Sequence, residues 1–285
     1  MPKLAPNHRF ISTNGITLHV ATVGKQGDPL VILLHGFPEF WYGWRRQMLT
    51  LEQAGFRVWV PDQRGYNLSE KPRRVSDYAL DELARDIVGL IDASGEEKVY
   101  LAGHDWGAAV AWWLGMFYPD RLHKLVILNV PHPGTMYTFL RTHPRQLLKS
   151  WYALFFQLPL LPEIGFRLFM HRALRLSAKP DTFSAQDIKT YRSAWRQPRA
   201  THNMLNWYRA AFRISKYRNF SGERVSIPTH IIWGEQDTAL DKRMAAHSLQ
   251  WCDDGRLTTF PAATHWVQHD ASADVSQILI DFFSD

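Results

Sequence analysis

The stretch Val99-Tyr-Leu-Ala-Gly-His-Asp-Trp-Gly107, continued by Ala108-Ala-Val-Ala-Trp-Trp-Leu-Gly-Met-Phe117, decides how the rest of the chain is read. Val99 to Ala102 is a short apolar run suited to a strand. Ala108 to Phe117 reads as a buried helix. Between them, Gly103 and Gly107 bracket His104, Asp105 and Trp106. Strand, tight turn and helix in that order make a nucleophile elbow, a strained turn that pushes one side chain out at the tip of a sheet. The side chain at its centre is Asp105. An Asp can also cap a helix, but a cap needs neither the flanking glycines nor the small Ala108 and Ala109 behind it.

An Asp at this position limits the chemistry. A carboxylate attacking an ester carbonyl would give a reactive anhydride. Attack on a strained or activated sp³ carbon gives an alkyl ester, which water can later hydrolyse. A Ser attacking the same carbon would give an ether and stop there. Asp105 therefore points to an epoxide or an alkyl halide.

Outward from the elbow, strand-like and helix-like segments alternate. Strands are expected at 9–12, 17–23, 30–34, 57–60, 98–102 and 124–129, and again at 230–233 and 257–260. They are rich in Val, Ile and Leu, as strands buried on both faces are. Helices are expected at 44–54, 78–93, 106–117, 241–249 and 273–283. The fold class predicted is α/β, with about eight mostly parallel strands flanked by helices. Residues 133–220 break the alternation and read as helices alone, at 144–157, 164–174, 184–195 and 199–212. Turn-rich junctions flank this segment, Pro131-His-Pro-Gly134 and Asn219-Phe-Ser-Gly222. The expected organisation is a core of 1–132 and 221–285 with a helical cap inserted at 133–220. Such a cap walls an active site from water.

Three further sites complete the chemistry. His35-Gly-Phe-Pro38 follows the strand at 30–34. The backbone N–H groups of Phe37 and Trp106 are placed to face an oxyanion, with His35 bracing the loop. Asp237, in Trp233-Gly-Glu-Gln-Asp237, follows a late strand and suits the acid that orients an imidazole. Glu235 is a nearby rival, expected to make structural contacts. His265 is chosen from 13 histidines by position, after the last strand and in the order nucleophile, acid, His. His269 is the local alternative, expected at the start of a surface helix.

In combination, His35-Gly-Phe-Pro-Glu-Phe-Trp41, Asp62-Gln-Arg-Gly-Tyr-Asn-Leu-Ser69, Gly103-His-Asp-Trp-Gly107, Trp233-Gly-Glu-Gln-Asp237 and Thr264-His-Trp266 make the chain resemble the α/β-hydrolase-fold epoxide hydrolases over nearly its whole length. Asn67 departs from the Gly of many relatives, but Asn tolerates left-handed geometry. The resemblance implies a covalent ester on Asp105, hydrolysed by water that His265 and Asp237 activate. It also implies two cap tyrosines on the epoxide oxygen. The matching contexts give Tyr152 and Tyr208, with Tyr191 and Tyr217 as competitors. His104, Trp151 and Phe155 are expected to wall the substrate pocket. The alternative is a haloalkane or haloacid dehalogenase with the same Asp. Against it, Phe37 and Trp106 stand where dehalogenases commonly carry Asn or Arg. A ligand-binding relative that has lost catalysis is a more distant alternative.

Composition bounds the rest. The 285 residues are 46% hydrophobic, enough for one large core with an insert. No signal peptide, membrane span, metal or organic cofactor is expected, nor a nucleic-acid partner. Cys252 is alone and has no intrachain partner. A cytoplasmic monomer or homodimer acting on a small-molecule epoxide is expected. The net charge of +6 is uneven: residues 133–219 hold 15 Lys and Arg against 3 Asp and Glu. The plain reading is a solvated basic surface. The sharper one is attraction for anionic ligands or lipid.

Overall fold

A computed structural model describes residues 4–214 and 223–285. Eight strands form one sheet: β1 (Asn7–Thr13), β2 (Ile16–Val23), β3 (Leu30–Leu34), β4 (Arg57–Pro61), β5 (Val99–His104), β6 (Leu122–Leu128), β7 (Thr229–Gly234) and β8 (Gly255–Phe260). Their order is β1-β2-β4-β3-β5-β6-β7-β8. β1 and β2 are an antiparallel hairpin, and β2 runs antiparallel to β4; every later pairing is parallel. The hairpin turns on Asn14-Gly15, both at positive φ, the combination a two-residue hairpin turn favours.

Twelve α-helices accompany the sheet among the described residues. They are α1 (Arg45–Gln53), α2 (Leu80–Ser94), α3 (Trp106–Phe117), α4 (Pro133–Thr142), α5 (Pro144–Lys149), α6 (Trp151–Phe155), α7 (Leu161–Leu176), α8 (Ala185–Trp195), α9 (Ala200–Arg213), α10 (Arg243–Ser248), α11 (Val267–Asp270) and α12 (Ser272–Ser284). The central strands bury both faces, so their residues alternate between two cores. From β3, Leu30, Ile32 and Leu34 pack with α2 and α3. Val31 and Leu33 pack with α1 and α12. Phe139, Phe156, Phe166, Trp207 and Tyr208 from the helices between β6 and β7 join the first of these cores. The insert is thus part of the main hydrophobic body.

The insert differs from expectation in two places. Residues 131–134 were expected as a turn, but α4 begins there. Pro133 takes the first helical position, where its missing N–H costs nothing, and the His132 ring accepts a hydrogen bond from the Gly134 N–H at 3.1 Å. The helix expected over 144–157 breaks at Ser150 into α5 and α6. The expected junction at Asn219–Gly222 lies outside the described residues.

The elbow needs close backbone approach. Asp105 sits at φ 50°, ψ −124°, and its side chain makes no capping bond to α3. α3 then crosses over the end of β3, and a Cβ at Gly107 would lie 2.3 Å from the Leu34 carbonyl oxygen. Gly107→Ala should therefore lower stability by about 3 kcal/mol or more, because rigid backbone opposes it. Gly165→Ala, inside α7 with its nearest neighbour 3.9 Å away, should be neutral or stabilising by up to about 1 kcal/mol. Urea unfolding of the two variants checks the contrast.

Candidate active site

The groups singled out in sequence arrive from six separate segments. β5 and α3 hold Asp105 between them. The loop after β3 brings Phe37, whose backbone N–H donates to Asp105 Oδ1 at 2.7 Å. Gly36 makes that approach possible, since a Cβ there would lie 2.2 Å from Asp105 Cβ. Trp106 opens α3, so its backbone N–H has no partner within the helix. The loop after β7 carries Asp237, and the loop after β8 carries His265.

His265 lies between two carboxylates. Its Nδ1 is 2.7 Å from Asp237 Oδ2, and its Nε2 is 3.4 Å from Asp105 Oδ2. Asp237 is fully buried, and its Oδ1 accepts the Ala239 and Leu240 N–H groups at 2.8 and 2.9 Å. Burial opposes its charge, but the His265 cation and these donors outweigh burial and hold it below the usual carboxylate range. For His265, burial disfavours the cation, yet Asp237 and then Asp105 overcome it and push the imidazole up to about 10. Asp237 thus fixes the ring's orientation while the pair of carboxylates favours the protonated form.

Above Asp105 stand two phenols. The rings of Tyr152, from α6, and Tyr208, from α9, lie 6.0 Å apart at 79°. Tyr208 packs edge-on against Phe37 and Trp106. Both hydroxyls are held above the usual tyrosine value, first by burial and then by the Asp105 charge. They therefore keep their protons as donors. Tyr66, from the loop after β4, is also buried under the same influences, and its hydroxyl has no protein partner among the described residues.

Several expectations need correction. His104 does not line the pocket. It is fully buried behind His265, with Nε2 2.8 Å from the His265 carbonyl and its ring 4.8 Å from the His265 ring. Burial, reinforced by the His265 charge, lowers its imidazole to about 4. Trp151 is 63% exposed and turns away from the phenols' side of α6. Phe155 is partly buried, beside Trp151 and Phe156 and facing Gly165 of α7. His269 is not on a surface helix. It is buried, with Nε2 2.7 Å from Glu39 Oε1. Tyr191 also bonds Glu39, so its hydroxyl is engaged away from Asp105. Tyr217 lies outside the described residues. His35 braces the loop as expected, accepting the Gln63 N–H at 3.0 Å, and Glu235 pairs with Lys242 at 2.7 Å on the surface.

Two residues escaped sequence reading. Asn129, at the end of β6 with φ 49°, donates to Asp237 Oδ2 at 2.8 Å and accepts the Gly234 N–H at 2.8 Å. Its position as the last polar residue of a buried strand was the available signal. Glu39 is the other. It is 1% exposed and bonded by His269, Tyr191 and Gln268. Burial resists its charge, but His269 first, then His104 and the Tyr191 hydroxyl, hold it down to about 2. Gln268 also meets His104 Nδ1 at 3.0 Å, so Glu39 is joined through His104 to the His265 backbone.

The His265 folded value lies above its unfolded value of 6.5. Its charge therefore adds stability that is fully present below about 6.5 and lost as pH rises through about 10. Nitrogen NMR should find the His265 imidazole protonated at neutral pH, and Asp237→Asn should lower its midpoint. A wild-type midpoint near 6.5 would contradict the two-carboxylate arrangement.

The description of one protein family, the alpha/beta hydrolase fold, matches residues 29–272. The chain is 45% identical over 278 residues to the AB hydrolase superfamily protein YfhM of Bacillus subtilis, covering 96% of each. It is 34% identical over 285 residues to human Epoxide hydrolase 4, covering 96% of this chain and 78% of that protein. The crystal structure of Bacillus megaterium epoxide hydrolase in complex with an inhibitor superimposes with a TM-score of 0.88 at 30% identity, over 97% of this chain and all of that one.

Proposed function

The chain belongs to the alpha/beta hydrolase fold family, and on that footing we propose that it is an epoxide hydrolase working through a covalent ester on Asp105. One observation carries this reading above the others: an Asp, not a Ser, occupies the elbow, and its charge acts on the phenols of buried Tyr208 and half-buried Tyr152, both held above the usual tyrosine value. The likeness to epoxide hydrolases at 30–34% identity supports it. Residues 133–220 serve as the cap that brings Tyr152 and Tyr208 to the core.

In the first step, Tyr152 and Tyr208 donate to the epoxide oxygen while Asp105 attacks a ring carbon. A C–O bond forms on the carboxylate and a ring C–O bond breaks. The oxygen leaves as an alkoxide and is protonated through the phenols. Asp105 is now a neutral ester. His265 has then lost one of the two carboxylates that held its proton, so it resupplies the phenol and becomes a base. In the second step, neutral His265, oriented by Asp237, takes a proton from water. The hydroxide attacks the Asp105 ester carbonyl, and the oxyanion faces the Phe37 and Trp106 N–H groups. Collapse releases the vicinal diol and restores both the carboxylate and the imidazolium. A cytoplasmic setting, as monomer or homodimer, belongs to the same proposal. Cys252 suits it, since burial pushes its thiol up to about 11 and leaves it unreactive.

Three experiments test the scheme. In ¹⁸O-water, a first-turnover diol should be unlabelled and Asp105 should gain label over repeated cycles. Label in the first diol would mean direct attack by water. Tyr152→Phe and Tyr208→Phe should each slow ester formation roughly 10- to 100-fold, as expected for one charge-developing hydrogen bond. An unimpaired double variant would remove the phenols from the mechanism. His265→Gln should still be alkylated, the phenol then regaining its proton from solvent, but should not hydrolyse, so intact mass spectrometry should find the protein heavier by one substrate mass. Asp237→Asn should trap the ester less completely. Normal turnover by His265→Gln would shift the role of base to another group.

A further inference from the structure

Among the described residues, the exterior of the insert has no counterpart. Of the large apolar side chains that stand exposed among the described residues, eleven of sixteen fall between Leu147 and Leu176. They follow helical spacing. On α5 and α6, Leu148, Trp151 and Leu154 are 73%, 63% and 59% exposed, while Ala153 and Phe156 are buried. On α7, Leu161, Ile164 and Leu168 are more than half exposed, while Phe166 and Leu174 are buried. α6 and α7 meet where Phe155 faces Gly165. α6 and α7 are therefore apolar on both sides, with one side spent on the core and the other turned outward, while α5 buries Gln146 and exposes Leu147 and Leu148. A water-facing monomer surface rarely gathers so many exposed apolar side chains in one segment.

The charge around this face selects its partner. Residues 141–179 contain seven Lys and Arg and one acid, Glu163. Glu163 is already consumed by Arg209 at 2.9 Å and His202 at 2.8 Å. Arg167, Arg172 and Arg175 are exposed and form no ion pair among the described residues. A second copy of this chain fits poorly, because a two-fold contact would set these cations near their own images. Nucleic acid would meet the arginines but gains nothing from exposed Leu and Ile. A bilayer with anionic headgroups satisfies both features: aliphatic and Trp side chains enter the headgroup boundary, and guanidinium groups meet the phosphates. No helix among the described residues is long and apolar enough to cross a membrane. The short α5 and α6 and the longer α7 suit a position in the interfacial plane.

We infer that the outer face of α5, α6 and α7 docks this protein onto the surface of an anionic lipid bilayer. Epoxides that dissolve in lipid would then be concentrated beside Tyr152, which α6 carries next to Trp151.

Flotation of the full chain with vesicles tests the inference without substrate, so its outcome is independent of the reaction proposed above. The protein should float with phosphatidylcholine vesicles containing phosphatidylglycerol, less so at raised ionic strength, and poorly with phosphatidylcholine alone. Combined Arg167→Gln, Arg172→Gln and Arg175→Gln should weaken binding about a hundredfold, since each basic side chain near an anionic surface contributes about fivefold. Leu148→Ser with Leu168→Ser, which leaves charge unchanged, should weaken it roughly tenfold. Both variants should keep the unfolding midpoint of the parent. Failure to float at low salt overturns the inference. So does binding that the Leu148→Ser, Leu168→Ser variant leaves unchanged, or tighter binding to a nucleic acid than to the vesicles. A concentration-dependent dimer that the same variant dissolves would assign the face to a second copy instead.

Discussion

Everything in the site follows from holding one carboxylate at positive φ on the tip of a buried strand. Asp105 at φ 50° projects its side chain past the sheet because three backbones converge around it: the end of β3, the end of β5 and the start of α3. Neither Gly36 nor Gly107 has room for a Cβ. The crowding therefore does two things at once. It keeps the turn strained, and it delivers the Phe37 N–H to within hydrogen-bond distance of the nucleophile. A looser elbow would lose the donor together with the geometry.

Electrostatics on the far side of Asp105 are layered. Asp237, Asn129 and two backbone N–H groups fix His265 from one direction. Neutral His104 supports it from beneath, and Glu39 sits one layer further back in a cage of His269, Gln268 and Tyr191. Breaking such a cage by removing one partner leaves a buried charge uncompensated, which costs several kcal/mol. Tyr191 belongs to α8, so the cage also fastens the insert to α11, the helix that follows His265.

The strand-turn-helix reading of the elbow, the eight strands and the order Asp105, Asp237, His265 were all legible in sequence. Each rests on local signals: apolar runs on both faces, punctuating glycines, and chain order. What failed rests on long-range packing. His104 and Trp151 neighbour functional residues in sequence, but a turn and a helix send adjacent side chains in different directions, so proximity in sequence predicted the wrong side. His269 looked like a surface residue because Glu39, its partner, is 230 positions away. Asn129 passed as strand because its one local signal, a polar residue closing an apolar run, does not reveal that its partners, Gly234 and Asp237, lie more than 100 positions away. The start of α4 was hidden by a His as its cap, which sequence rules do not favour.

α6 is only five residues long, yet one of its sides faces the reacting atoms and another faces outward. Successive residues on a helix point about 100° apart. Replacing Trp151 or Leu154 therefore leaves Tyr152 where it is. Adding or deleting a single residue between α5 and α7 would swing the phenol out and bring a hydrocarbon side chain in. Along this segment lineages that keep the tyrosine should also keep the length, while its outward neighbours need only stay apolar, so spacing is a better guide than similarity to whether a distant relative keeps the same chemistry.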